Sequence, residues 1–209
     1  MPIKNDREYR NLGTFEMKEE SPDTVEGYAS TFDTYMLWED PDMRFYERID
    51  RNAFENTDMT DVVFLRDHAG AVLARTKNGS IQLTVDEHGL LSRTDLSLTE
   101  AARQMREDIR VGNYTQMSFS FVVDQDHIEW IDDRNAVRVI DSVRKLYDVS
   151  AVAFPANPYT DIGISARSLF DGAIEEREAE RLKAEQKARA RKALQLRIRL
   201  MKGETGHGN

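Results

Sequence analysis

Because cysteine is absent, any chemistry that this chain performs must come from its four histidines or from its hydroxyl, carboxylate and lysine side chains. Without cysteine there is no thiol nucleophile, disulfide or thiolate-ligated metal. His68 has the most informative position, since it follows an apolar run at 62–65 and precedes Ala69 and Gly70, which turn the chain. A side chain at a strand end beside a tight turn can face a cleft as a general base. The same position also suits a histidine that bonds only to turn backbone, and both interpretations stand.

Two serines on one predicted strand form the second candidate. Residues 114–123 alternate between an apolar and a polar face, which is the period of a strand. The apolar face comprises Met117, Phe119, Phe121 and Val123. Ser118 and Ser120 share the other face with Gln116, so two hydroxyl groups are presented side by side. No GxSxG motif surrounds either serine, so the pattern fits a nucleophile or an ordinary polar strand face.

A metal site built from histidines and acidic residues is an alternative. Asp67 and His68 are adjacent and would point apart on a strand, whereas Asp86 and His88 are two residues apart and would share a face. Neither pair has the HExxH spacing or another recognised ligand pattern. A metal hydrolase that uses His68 with Asp86 or His88 therefore stays open as an alternative, although the spacing gives it little support.

The elements that must position these residues are mostly strands between residues 26 and 168. Strands are predicted at 62–65, 71–75, 81–85, 90–96, 114–123, 136–140 and 143–154. The strands at 81–85 and 90–96 are predicted to form a hairpin with a turn at 86–89. One helix interrupts them, with Ser97 predicted as the N-cap of a capping box that includes Glu100, and with Gly112 predicted just after the helix.

Charge is distributed unevenly along the chain. The formal net charge is −9, to which residues from 171 onward contribute +3 and residues 1–170 contribute −12. Ala, Glu, Lys, Arg and Leu dominate from 172 to 203, which is typical of a long helix. The acidic body argues against a nucleic-acid surface, and no apolar run reaches the roughly 20 residues of a membrane span. With no apolar stretch at its start to act as a secretory signal, the chain is expected to be soluble and intracellular.

Several segments taken together resemble the tailed-phage prohead serine protease family, which is itself similar to the herpesvirus maturation proteases. The segments are 27–32, 47–54, 61–68, 72–76, 89–91, 112–121 and 148–158. The most specific are the segment that runs into His68, the Met-Ser-Phe-x-Phe strand at 117–121 and the Phe-Pro-Ala segment at 154–156, in that order. The resemblance covers about residues 25–168, which is most of the chain.

This resemblance implies an α+β, β-rich fold in which an antiparallel β-barrel is flanked by helices, with a long C-terminal helix in addition. It also implies His68 as the catalytic histidine, Ser118 as the nucleophile and Asp148 as the third member of the triad. The order along the chain differs from the familiar triads, but a triad is defined by geometry and not by chain order. The resemblance implies no metal and no organic cofactor.

The chain departs from the family pattern at two places. The family commonly has Asn-His-Asp where this chain has residues 67–69, so the orientation of the histidine has to be found in the fold. It often has Gly where this chain has Ser120, which supplies a second hydroxyl on the strand face, and the motif match favours Ser118 over Ser120. Residues 154–157 or Arg167 are the candidates for stabilising the oxyanion.

The function implied by the resemblance is an endopeptidase that cuts scaffold and major capsid protein segments, and often itself, inside the immature capsid in the host cytoplasm. Residues 1–24 are then a polar N-terminal segment, 25–170 the protease domain and 171–209 a charged helical tail that could pair with helical scaffold. Neither nucleic acid nor membrane is expected as a partner, and homo-oligomer formation stays open. The alternative is a non-catalytic capsid-assembly or scaffold module that keeps the protease fold.

Overall fold

The computed structural model describes residues 7–17, 21–153 and 161–204. Its elements are β1 (Glu8–Met17), β2 (Thr24–Thr31), β3 (Tyr35–Glu39), β4 (Arg44–Ile49), β5 (Val63–Arg66), β6 (Ala69–Arg75), β7 (Ile81–Val85), β8 (Gly89–Asp95), α1 (Glu100–Arg110), β9 (Gln116–Trp130), β10 (Asn135–Val152) and α2 (Asp161–Glu204). The predicted α+β, strand-rich class with a long C-terminal helix is confirmed.

The described strands belong to one sheet in the order β3-β4-β10-β9-β1-β2-β8-β7, to which β5 and β6 are joined through the pairing of β5 with β10. The long strands β9 and β10 form an antiparallel hairpin. β10 also pairs in parallel with β4 and with β5, so the sheet is mixed, whereas the resemblance implied an antiparallel one. Within the described strands β3 and β7 end the path without pairing to each other, and a closed barrel stays a prediction.

The first half of β9 buries the apolar face that its sequence period predicts. Met117 and Phe119 join the same buried cluster as Met105 of α1. The predicted cap of α1 is wrong by two residues, because the hydroxyl of Thr99, and not of Ser97, accepts a hydrogen bond from the Ala102 amide at 3.1 Å. A Glu three residues after Ser97 suggested the capping box, but the chain is still extended at Thr99.

β9 and β10 differ from the predicted strands, and β1 was not predicted. The strands expected at 136–140 and 143–154 are one strand, β10, whose pairing with β9 is irregular between residues 140 and 148. Phe154, where the second of them was expected to end, lies outside the described residues. β9 continues through the polar stretch to Trp130. β1, at the polar start of the chain, pairs with both β9 and β2.

The chain divides into two compact units, Met1–Arg167 and Ser168–Asn209. The first unit contains the sheet and α1. The second continues α2, which begins at Asp161, ten residues before the expected helical tail, and which carries exposed apolar side chains at Leu182, Leu194, Leu196, Ile198 and Leu200. In the part of the chain that the structure describes, no helix is long and apolar enough to cross a membrane.

Candidate active site

Ser118 lies in β9, with β10 on one side and β1 on the other. It is paired with Ser150 of β10 and with Asn11 of β1. Because side chains alternate along a strand, the aromatic neighbour Phe119 enters the core and Ser118 projects from the opposite face. Ser118 is only 2 % exposed, so the residues that surround its hydroxyl determine its chemistry.

His68 lies within a two-residue turn that joins β5 to β6. The sequence predicted a turn at Ala69 and Gly70, but these residues already belong to β6, and the turn consists of Asp67 and His68. Both have positive φ, 45° and 57°, as in the type I′ turns of two-residue hairpins, and residues other than Gly, Asn, Asp and His rarely adopt such values. The turn carries the imidazole away from the β5–β6 strands and toward β9 and β10.

The geometry brings together the three side chains that the resemblance implied. His68 Nδ1 lies 2.6 Å from Asp148 Oδ1, and His68 Nε2 lies 2.6 Å from Ser118 Oγ. The His68 side chain is 18 % exposed and that of Asp148 is 1 % exposed. The ring of Tyr9 packs edge-on against the imidazole, with centroids 4.7 Å apart. The arrangement suits proton transfer from the hydroxyl to the imidazole while the carboxylate holds the ring.

Asp148 has hydrogen-bond donors at both carboxylate oxygens. Burial disfavours its charged form, but these hydrogen bonds outweigh burial and hold the pKa of the carboxyl below its ordinary value of 3.8. One donor is His68, Ser150 Oγ donates to Oδ1 at 2.7 Å, and Ser120 Oγ donates to Oδ2. The group is therefore an ionised acceptor at neutral pH.

The two serines of β9 have different partners. Ser118 contacts the imidazole, whereas the Ser120 hydroxyl donates to the carboxylate behind it. Ser120 is fully buried and its proton is committed to Asp148. Sequence reasoning did not identify Ser150, although its position two residues after Asp148 puts both side chains on one strand face.

The backbone carbonyl of Arg10 is a second acceptor for the Ser118 hydroxyl, at 2.9 Å. One hydroxyl proton can be donated either to this oxygen or to His68. The Arg10 guanidinium is buried in ion pairs with Glu8 and Glu47. For Glu8, burial is outweighed by Arg10 and by Arg138, which together lower its pKa to about 2. These ion pairs hold β1 beside the serine.

The other histidines lie elsewhere. The imidazole of His88 is 68 % exposed with Glu87 at 3.5 Å, and that of His127 hydrogen-bonds Asp141 at 2.7 Å. His207 is outside the described residues. Within residues 7–17, 21–153 and 161–204, no three His, Asp or Glu side chains are grouped so as to hold a metal ion.

The predicted oxyanion candidates remain predictions. Residues 154–157 lie outside the described residues. The Arg167 guanidinium is over the ring of Trp38, with 5.0 Å to the centroid, and lies 3.8 Å from Asp40. Both contacts are at the C-terminal end of β3.

Comparison with known proteins places the chain in a family. A family model described as caudovirus prohead serine protease matches residues 12–173. No curated protein and no solved structure matches the chain. The matched region covers most of the chain, and it contains His68, Ser118 and Asp148.

Proposed function

This chain belongs to the caudovirus prohead serine protease family, and we propose that it is a serine endopeptidase of phage capsid maturation. In this proposal Ser118 is the nucleophile, His68 is the general base and Asp148 orients the imidazole. The observation that carries it is the pair of 2.6 Å hydrogen bonds that His68 makes, one with Ser118 and one with Asp148.

The proposed acylation step uses the two nitrogens of His68 differently. Nε2 takes the hydroxyl proton as Ser118 Oγ bonds to the scissile carbonyl carbon, while Nδ1–H continues to donate to Asp148. The resulting imidazolium then gives its proton to the amine of the leaving peptide as the C–N bond breaks. A water molecule hydrolyses the ester by the same route in reverse, which returns the Ser118 hydroxyl and a new carboxyl terminus.

Asp148 contributes as a carboxylate. Because its pKa is lowered, it is ionised at neutral pH and can stabilise the positive charge that His68 gains in the transition state. It also keeps the Nδ1–H tautomer, which leaves a lone pair on Nε2 for the Ser118 proton. The hydrogen bonds from Ser120 and Ser150 support this role by fixing both carboxylate oxygens.

The tetrahedral oxyanion requires preorganised N–H donors. We propose that residues 154–157 supply them, since they begin two positions after the last residue of β10, the strand that carries Asp148. Arg167 is the second candidate. The rest of the mechanism needs no cofactor.

The family supports capsid-related substrates and a location inside the immature capsid in the host. More specifically, we propose that the enzyme cuts major capsid protein and scaffold segments and also its own tail. On the same resemblance we propose a barrel-type protease domain at 25–170, preceded by a polar segment at 1–24. The tail at 171–209 would pair with helical scaffold through its exposed leucines. Nucleic acid and membrane are not among the proposed partners.

Labelling by a fluorophosphonate tests the proposed site in the full-length chain. We expect the probe to form a single adduct on Ser118, located by mass spectrometry, and Ser118→Ala and His68→Ala to abolish it. Ser92→Ala, which removes a buried hydroxyl on β8, is the matched control and should label normally. A chelator should have no effect, and chelator-sensitive hydrolysis would favour a metal hydrolase instead.

Co-expression with the major capsid protein tests the substrate. The wild-type chain should shorten the capsid protein and its own tail, and Ser118→Ala should leave both intact while it folds normally. Capsid processing by Ser118→Ala at the wild-type rate would contradict the proposal. A well-folded chain that neither reacts with the probe nor processes capsid protein would support the non-catalytic assembly module.

A further inference from the structure

Asp67 is the residue before the histidine, and its backbone is in an unusual conformation. Within the described part of the chain, it and His68 are the only residues other than glycine with positive φ. Such a conformation persists where neighbouring interactions determine it. In a two-residue turn, a rotation of the peptide between Asp67 and His68 would redirect the imidazole, so the interactions of Asp67 bear directly on where His68 points.

The backbone amide and both carboxylate oxygens of Asp67 have partners in neighbouring segments. Its amide donates to the carbonyl of Ala151 at 2.9 Å, which extends the parallel pairing of β5 with β10. Oδ1 accepts from the amide of Ala153 at 3.2 Å, and Oδ2 accepts from the hydroxyl of Tyr114 at 3.1 Å. Ala153 directly follows β10, and Tyr114 lies just before β9. One carboxylate therefore links the His68 turn to the strands that carry Asp148 and Ser118.

Tyr114 is itself held in place. The guanidinium of Arg66 lies over its ring, 5.5 Å from the centroid, and also pairs with Asp108 of α1 at 2.9 Å. Partial burial and the hydrogen bond to Asp67 raise the pKa of Tyr114, so the phenol stays protonated and remains a donor. The tyrosine that binds Asp67 is therefore itself held by contacts with Arg66, which is in turn paired with α1.

We propose that Asp67 is a positioning residue for His68. By binding Ala153 and Tyr114 at once, its carboxylate fixes the turn so that the imidazole lies within hydrogen-bond distance of both Ser118 and Asp148. The inference rests on the proposed serine peptidase mechanism and adds to it a residue that does not touch the reacting atoms. Reaction rates are sensitive to displacements of about 1 Å in a catalytic group. We expect the imidazole to move by about that much when the turn loses both hydrogen bonds of the Asp67 carboxylate.

Four substitutions separate the contribution of the hydrogen bonds from that of the backbone conformation. Asp67→Asn keeps an oxygen for the Ala153 amide, meets the Tyr114 oxygen with its amide group and tolerates positive φ. Asp67→Ala loses both links and is strained at positive φ, whereas Asp67→Gly loses the links without that strain. Tyr114→Phe removes one link only. Asp86→Ala is the matched control, because Asp86 also joins a tyrosine hydroxyl to turn amides in a hairpin.

The readouts are the rate constant for fluorophosphonate labelling of Ser118 and the downfield NMR resonance of the His68 Nδ1 proton. We expect Asp67→Ala and Asp67→Gly to slow labelling about tenfold and to broaden or shift the resonance. Tyr114→Phe should have a smaller effect on both. Asp67→Asn should stay within about twofold of the wild-type rate and keep the resonance. Asp86→Ala should change neither, although it lowers Tm.

Wild-type labelling by Asp67→Gly would overturn the inference, because the side-chain bonds would then be dispensable. An unchanged His68 resonance in Asp67→Ala would overturn it as well. If Asp67→Ala fails to fold, Asp67→Gly and Tyr114→Phe carry the test. A wild-type chain that the probe does not label at all would refute the proposed function, and this inference with it, whereas normal labelling in both wild type and Asp67→Gly refutes the inference alone.

Discussion

Two hairpin turns of this molecule contain nearly the same residues and do different things. The β5–β6 turn has Asp67 and His68, and the β7–β8 turn has Asp86 and His88. In each, the aspartate accepts a tyrosine hydroxyl and at least one backbone amide. In each, a tyrosine ring packs edge-on to the histidine, Tyr9 in the first and Tyr28 in the second. Yet only the first histidine lies between a buried carboxylate and a hydroxyl.

The difference comes from what lies beside each turn. β5 pairs in parallel with β10, so the turn that follows it is next to the part of β10 that carries Asp148. β7 ends the path of the sheet and pairs with β8, and the imidazole of His88 is largely in solvent. The same residue types therefore form a candidate catalytic arrangement only where the sheet brings an acid and a hydroxyl to the turn.

The largest expected difference between the two turns is in the effect of removing the histidine. His68→Ala should lower the rate of Ser118 labelling about 10⁶-fold, which means below detection, because His68 is the base that hydrogen-bonds the hydroxyl among the residues that the structure describes. His88→Ala should label at the wild-type rate. Comparable losses in the two variants would show that the β7–β8 turn also belongs to the site, and circular dichroism of both would exclude unfolding as the cause.

The second largest difference is expected when the carboxylate near each histidine, Asp148 or Asp86, is replaced by a neutral amide. Asp148→Asn should slow labelling about 10⁴-fold, because a neutral amide neither stabilises the imidazolium nor favours the Nδ1–H tautomer. Asp86→Asn should leave the rate unchanged and lower the stability of the hairpin instead. A full rate in Asp148→Asn would assign the orienting role to another group.

The stability effect of Asp86→Asn should depend on pH in a defined direction. The hydrogen bond from Tyr28, with those from the His88 and Gly89 amides, lowers the pKa of Asp86 below its ordinary 3.8. The carboxylate therefore stabilises the fold fully above that ordinary value, and this contribution is lost as the pH falls through the lower pKa of the folded state. Urea midpoints of the variant and the wild type should differ at pH 7 and converge in strong acid. A constant difference would contradict the assignment.

The smallest expected effect concerns buried hydroxyls near the two turns. Ser120→Ala removes one donor from Asp148 but leaves those of His68 and Ser150. The loss of about 1 kcal/mol should slow labelling by up to about tenfold. Ser92→Ala, which breaks a contact with Thr94, should leave the rate unchanged. Loss of labelling in Ser120→Ala as complete as in Ser118→Ala would contradict the minor role proposed for Ser120 and reopen the choice of nucleophile between the two serines.

Several parts of the fold were predictable because their signals are local. The alternation at 114–123 predicted the start of β9, and the end signals at Glu100 and Gly112 predicted a helix where α1 lies. β1 was not predictable in this way, because its buried Arg10 is a charged residue that is stable inside only when Glu8 and Glu47 are brought to it. The far end of β9, at 124–130, is equally polar and was missed for the same reason.

The candidate site was predictable only in part. The resemblance implied His68, Ser118 and Asp148, but the departure at residues 67–69 left the direction of the imidazole open. Ser120 and Ser118 share one strand face and have the same side chain, so no local pattern distinguishes them. Their roles differ because β10 lies beside β9 with Asp148 opposite Ser120.

The sequence alone determined which groups are available: a chain without thiols, a histidine after a short apolar strand, two hydroxyls on one strand face and an acid on a later strand. The tertiary structure decided which of them meet. Strand periods and turn residues are properties of neighbours along the chain, whereas the parallel pairing of β5 with β10 and the left-handed turn at Asp67 and His68 depend on contacts between residues some 80 positions apart. The spacing of residues along the chain does not reveal such contacts. Only the folded chain shows that His68 contacts Ser118 whereas His88 is exposed to solvent.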